Sequence, residues 1–122
     1  MPFDIQIRDN IIRLTYTGYV TKAELFASAQ EIVRVEGTFE RRPDQLTDLS
    51  GIVDRETNYE TLSTVASERR TRVFPNNWRL AMVAPTPLGF GLARMFKTLT
   101  EGPQIDIQIF QTLAEAEAWL VA

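Results

Sequence analysis

Residues 80–87 read Leu80-Ala81-Met82-Val83-Ala84-Pro85-Thr86-Pro87. The first five form an unbroken apolar run, the pattern of a strand buried on both faces in the middle of a parallel sheet. Thr86 and Pro87 then mark a helix start. The hydroxyl caps free amides, and proline loses nothing at the first helical position, where its absent N–H has no partner anyway. Leu88, Leu92, Met95 and Leu99 recur at helical spacing, which predicts a helix through Thr100, and Gly102-Pro103 ends it. A doubly buried strand feeding directly into a helix is the repeating unit of α/β folds.

The same unit recurs on either side. Downstream, Ile105, Ile107 and Ile109 alternate with Asp106 and Gln108, as in a strand with one buried face. Thr112 with Glu115 is spaced as a capping box, opening a terminal helix that carries Leu113, Ala116, Trp119 and Leu120 on its apolar side. Upstream, a helix capped by Thr57 or Asn58 places Leu62, Val65, Ala66 and Arg69 on one face until Pro75-Asn76-Asn77 breaks it. Before it, Asp44 to Ser50 is expected as a short strand with Leu46 and Leu49 as its apolar residues and a turn at Ser50-Gly51.

Thr21 with Glu24 makes a further capping box, and Leu25, Ala29, Ile32 and Val33 continue that helix to about Glu36, with Gly37 as its stop. Phe3, Ile5 and Ile7, then Ile12, Leu14 and Tyr16, alternate with polar residues around Asp9-Asn10, which predicts an antiparallel hairpin. The order is β-β-α-β-α-β-α-β-α in one domain, residues 1–122. The expected architecture is an α/β fold with a mostly parallel sheet beyond the N-terminal hairpin and helices packed on it.

Composition narrows the chemistry. The 44% apolar and 24% charged residues are those of a globular chain rather than a disordered one. There is no cysteine and no histidine. Disulfides, thiolate catalysis, Ser-His-Asp hydrolysis and His- or Cys-ligated metal sites are therefore excluded. A net charge of −3 disfavours a nucleic-acid or anionic-membrane footprint. The opening MPFDIQIRDN lacks a basic start and an apolar stretch, and no segment approaches the length of a membrane span, so the expected compartment is the cytoplasm.

Several local strings resemble the SpoIIAA-like domains, the group that includes STAS and Sec14-like folds. Asp48-Leu49-Ser50-Gly51-Ile52 is similar to the Asp-Leu-Ser-Gly-Val stretch at the end of the third strand of STAS domains. Gly18 followed by Val20-Thr21 is similar to their entry into the first helix. Phe90-Gly91-Leu92-Ala93-Arg94-Met95-Phe96 resembles the third helix of the stand-alone bacterial members. Ile109-Phe110 with Glu115-Ala116 and Trp119-Leu120 resembles their close. The resemblance implies the fold over nearly the whole chain and a regulatory, non-enzymatic role. It does not extend to the Asp-Ser-Ser-Gly motif whose serine is phosphorylated in STAS anti-sigma-factor antagonists. Here the corresponding residues are Glu56-Thr57-Asn58-Tyr59, so no phosphoswitch is implied.

The candidate functional residues fall in two groups. Asp48, Ser50 and Asp54, with Thr57 and Asn58, gather at the C-terminal end of a strand, where open α/β sheets bind ligands. The same residue types also make ordinary turns and caps. Phe26, Phe90 and Phe96 lie off the tightest inward stripes of their helices, and Met95 is grouped with them as a candidate. They are read as partner-facing in a homodimer or toward another protein, as the lining for a small apolar ligand such as a lipid, or as ordinary core. A ligand site of that kind calls for a cavity of several hundred Å3. Gly89 and Gly91 suit close packing of a helix on the sheet, because a phosphate loop needs a Lys-Ser/Thr pair that is absent. Arg41 and Arg42, with Arg69, Arg70 and Arg72, form two basic clusters. The second reads as a solvated helix end, or as a site for phosphate or an acidic partner. No cofactor and no metal is expected. An enzyme would need Asp48 and Asp54 to converge in a cleft.

Overall fold

The computed structural model describes residues 2–55 and 59–122, apart from the side chains of residues 55, 59 and 70. The elements are β1 (Phe3–Arg8), β2 (Ile11–Val20), α1 (Lys22–Glu36), β3 (Asp44–Arg55), α2 (Tyr59–Arg70), β4 (Trp78–Val83), α3 (Pro87–Thr100), β5 (Ile105–Phe110) and α4 (Leu113–Val121). The proposed cap of α2 at Thr57 or Asn58 lies outside the described residues.

β1 and β2 pair antiparallel with Arg8 opposite Ile11, so Asp9 and Asn10 are a two-residue loop. Both take left-handed backbone, φ 55 and 59, the mirror-image turn that matches strand twist. Asp and Asn are the side chains that tolerate this conformation best after glycine. β2, β3, β4 and β5 are parallel neighbours, and the sheet order is simply β1-β2-β3-β4-β5.

That order fixes where the helices go. Three right-handed crossovers that each step to the next strand in one direction place their helices on one face. α1, α2 and α3 therefore share a face and cover the larger core, which includes Ile12, Leu14, Leu49, Leu80, Met82, Leu92 and Ile107. α4 follows the last strand with no crossover to make and lies on the opposite face. There Ala116 and Leu120 pack on Ile11, Leu46, Ala81 and Val83. Arg13 pins it further by donating to Glu117 at 3.0 Å. The apolar run of β4 now has its cause, since Leu80 and Met82 serve one core and Ala81 and Val83 the other.

The helix starts follow the side chains. Thr21 accepts from the Glu24 amide at 3.1 Å while the Glu24 carboxylate takes the Thr21 amide at 2.9 Å, a reciprocal box. Thr86 accepts from the Gly89 amide at 3.1 Å. At Thr112 only half of the box forms: its hydroxyl accepts from the Glu115 amide at 3.2 Å but gives its own proton to the Glu115 carboxylate at 2.9 Å. Gly37 stays right-handed at φ −67, and α1 ends through a tightened turn in which Thr38 donates to the Val35 carbonyl at 3.0 Å.

Two strands depart from expectation. No turn forms at Ser50-Gly51, because β3 continues to Arg55, and β4 begins at Trp78, two residues before its apolar run. Asp48 pairs with Thr15 and Gly51 with Thr17, so Leu49 and Ser50 together oppose the single residue Tyr16. This is a β-bulge. The Asp48 carboxylate accepts from the Ser50 amide at 2.9 Å and from its hydroxyl at 2.6 Å. Asp-x-Ser-Gly thus makes the local bonds of a turn, but inside a strand that keeps going.

Candidate functional site

β4 accompanies β3 only as far as Asp48, paired with Val83. Beyond that point β3 runs on with β2 alone, Gly51 to Arg55 beside Thr17 to Val20. The two form a ribbon that outruns the sheet at the C-terminal ends of the parallel strands. Gly51 permits the kink at its base. A Cβ there would come within 2.9 Å of the Tyr16 carbonyl oxygen and 3.0 Å of Thr17 Cγ2. Gly18, with φ +73, lies in the facing strand beside a second irregularity. Tyr19 and Val53 on this ribbon are 52% and 78% exposed. An uncovered aromatic and an uncovered β-branched residue on adjacent strands make an apolar surface that water solvates poorly.

α3 starts at the same end of the sheet. Gly89 rests on Leu49, where an added Cβ would stand 3.5 Å from the Leu49 side chain and carbonyl, so its packing role is met. Gly91 faces open space. Phe90 is 42% exposed, with the Arg94 guanidinium 5.9 Å from its ring centroid. Met95 and Phe96 turn inward and pack against the core, and Phe26 is half-buried on α1. Six residues along a helix are roughly 240° around its axis, so Phe90 and Phe96 face different sides. Asp48 is half-buried and occupied with Ser50, while Ser50 and Asp54 are exposed on the ribbon. Thr57 and Asn58 lie outside the described residues.

Beneath α1, α2 and α3 lies a cavity of about 120 Å3. Its wall is largely apolar and includes Leu14, Ala29, Leu80, Met82 and Phe96. It is smaller than the several hundred Å3 of a drug-sized site. In its wall Tyr16 is fully buried, and its hydroxyl sits 2.6 Å from Ser28 Oγ. Ser28 gives its own proton to the Leu25 carbonyl at 2.8 Å, so Tyr16 is the donor of the pair. Burial pushes the Tyr16 phenol up to about 12, against the smaller opposing effect of Ser28.

One end of the cavity is charged, and here the basic clusters take a different form from a solvated helix end. Arg42 is fully buried: Nε donates to Glu36 at 2.6 Å, and the terminal nitrogens donate to the Pro43 carbonyl at 2.5 Å and Gln45 at 2.6 Å. Its guanidinium lies 3.9 Å from the Trp78 ring centroid, a cation–π contact. Arg69, from the last turn of α2, also donates to Glu36, and Arg72 Nε stands 3.0 Å from the second Glu36 oxygen without the angles of a hydrogen bond. Burial pulls the Arg42 guanidinium below the usual arginine range. Glu36 opposes this, while Arg69 and Arg72 add to it. Three arginines, Arg42 of the first cluster and Arg69 and Arg72 of the second, thus meet across the fold at a glutamate that neither cluster contains. The local clue was Glu36 itself, four residues after Ile32 and therefore on the inward stripe of α1.

Among the described residues, no three His, Cys, Asp or Glu side chains group to hold a metal, and no helix is long and apolar enough to cross a membrane. No family model and no curated protein matches the chain. Solved structures do, two of them as follows. An uncharacterized protein of the DUF3478 family with a SpoIIAA-like fold, from Shewanella loihica PV-4, aligns over 97% of this chain and 91% of its own at 14% identity, TM-score 0.63. An anti-sigma factor antagonist from Mycobacterium paratuberculosis aligns over 98% and 93% at 16% identity, TM-score 0.62. The hairpin, the parallel strands and the four helices together give this chain a SpoIIAA-like fold.

Proposed function

We propose that this chain is a regulatory, non-enzymatic protein-interaction module that self-associates through the ribbon of β2 and β3. The observation that carries this reading is that Tyr19, opposite Asp54 in the register, and Val53, the residue before Asp54, are both exposed where the ribbon outruns β4. Covering such residues releases ordered water and offsets the cost of bringing two chains together. Phe90 at the start of α3 is a further exposed apolar residue at the same end of the sheet. The regulatory part is supported by the likeness of fold to an anti-sigma factor antagonist. The absence of His and Cys, and an Asp48 carboxylate turned back onto Ser50, support a module that binds rather than transforms.

Native mass spectrometry and sedimentation velocity on protein purified without added ligand test this. The expected result is a dimer across roughly 1–100 μM, dissociated by Tyr19→Ser with Val53→Ser at unchanged thermal stability. A strictly monomeric wild-type protein refutes the self-association. A dimer indifferent to that double variant refutes the surface.

A further inference from the structure

The charged end of the cavity is out of balance. Arg42, Arg69 and Arg72 converge on Glu36, and Glu68 is the sole carboxylate among the described residues of the cavity wall. Three positive groups against two negative ones leave one positive charge. Glu68 is exposed and makes no ion pair among the described residues, so it moderates the field at the mouth without neutralising either arginine. Arg42 is fully engaged with Glu36, Pro43, Gln45 and Trp78. Arg69 and Arg72 differ. Both line the cavity, each is bound to Glu36 through one nitrogen, and the Arg72 side chain remains 33% exposed. Each guanidinium therefore keeps donors to give, in a fork that matches a carboxylate. Thr47, buried in the same wall, accepts from Gln45 Nε2 at 3.0 Å and keeps a hydroxyl proton with no acceptor among the described residues.

We propose that this cavity is a binding site for a small monocarboxylic acid with a compact apolar body of about six carbons. The carboxylate is held by Arg69 and Arg72, and the body lies among Leu14, Leu80, Met82 and Phe96. Size sets the body. An apolar cavity of about 150 Å3 stays dry and takes up benzene, and the 120 Å3 here is close to that. Charge sets the head. A single uncompensated positive charge suits a monoanion, whereas a dianion would bring a larger desolvation cost than the arginine pair offsets. The proposal does not depend on self-association and is measured on whatever oligomer the protein forms.

The test is isothermal titration calorimetry and amide NMR with hexanoate, hexanol, acetate and hexyl phosphate. Hexanoate is expected to bind at least about tenfold more tightly than hexanol or acetate, because only it satisfies both ends of the site. Arg72→Gln should weaken hexanoate by about tenfold or more and leave hexanol unchanged. Ala29→Phe, which fills the cavity from α1, should abolish both, with circular dichroism melting as the check on folding. If that variant does not fold, the Arg72→Gln arm decides alone. Equal binding of hexanol and hexanoate, indifference of hexanoate to Arg72→Gln, or no response to hexanoate at millimolar concentration overturns the proposal. Tighter binding of hexyl phosphate overturns the assignment of a monoanion.

Discussion

Replacing Glu36 by Gln keeps the shape of its side chain and an acceptor for Arg42, but removes the charge that three arginines share. At an effective dielectric of about 20, one pair of unit charges roughly 4 Å apart is worth about 4 kcal/mol. Arg42, fully buried, feels that loss undiminished, while Arg69 and Arg72 are partly exposed and screened. Against this, a buried carboxylate no longer has to be desolvated, which returns several kcal/mol. The balance for breaking a buried pair is typically a loss of about 3–5 kcal/mol. In a chain of 122 residues each kcal/mol moves the midpoint by about 3–5 °C, so Tm should fall by about 10–20 °C. Urea denaturation and thermal melting followed by circular dichroism measure this. Adding Arg72→Gln should recover part of the loss, since it removes one of the positive charges left unbalanced, and Arg72→Gln alone should cost less than about 1 kcal/mol. A Glu36→Gln protein within about 1 kcal/mol of wild type would refute the reasoning, as would a double variant less stable than the single one.

Two further perturbations read the local geometry. Gly51→Ala should destabilise by about 1–3 kcal/mol in urea titration, because the new methyl meets the backbone of Tyr16 and Thr17 at 2.9–3.4 Å. Gly91→Ala, in open space within α3, should instead stabilise by roughly 0.5–1 kcal/mol. Tyr16 makes stability fall in alkali. Its folded pKa of about 12 exceeds the ordinary tyrosine value of 10.0, so its contribution is complete below pH 10 and is lost as pH rises through 12. Tyr16→Phe should be about 1 kcal/mol less stable at pH 7, yet lose less stability than wild type between pH 10 and 12. Parallel denaturation curves across that range would exclude the assignment.

What was legible in the sequence was what is local. The Thr21–Glu24 box, the Thr86-Pro87 start and the alternation in β2 and β5 act over two to four residues and appear in the fold, while in β1 the alternation holds for Phe3 and Ile5 and fails at Ile7, which is exposed. The same strings were ambiguous wherever two structures share one local chemistry. Asp48 closing on Ser50 serves a turn and a bulge equally, and only pairing with Thr15 and Thr17 decides between them. Phe90 and Phe96 could not be divided between surface and core without knowing which side of α3 meets the sheet. The arginine cluster was least accessible of all, since Glu36 and Arg69 are separated by 33 residues and meet only once α1 and α2 lie on the same face. Strand order is equally non-local, and it is what brings them together.

That order also bears on how the protein is made. Because each strand lies beside the one before it, a ribosome delivers the sheet in the sequence in which it is assembled. The hairpin can close while β3 is still being synthesised, and every later strand finds a finished edge waiting for it rather than a gap between two partners. No strand has to insert between neighbours already paired. The loops to be closed stay one crossover long, which keeps the entropic cost of each addition small. At about 5–20 residues per second, translation is slow enough for each unit to settle before the next emerges. α4 then folds across the back of a sheet already built, where Arg79 on β4 donates to the carbonyls of Trp119 and Leu120 at 2.8 and 2.7 Å and latches that helix to the middle of the sheet.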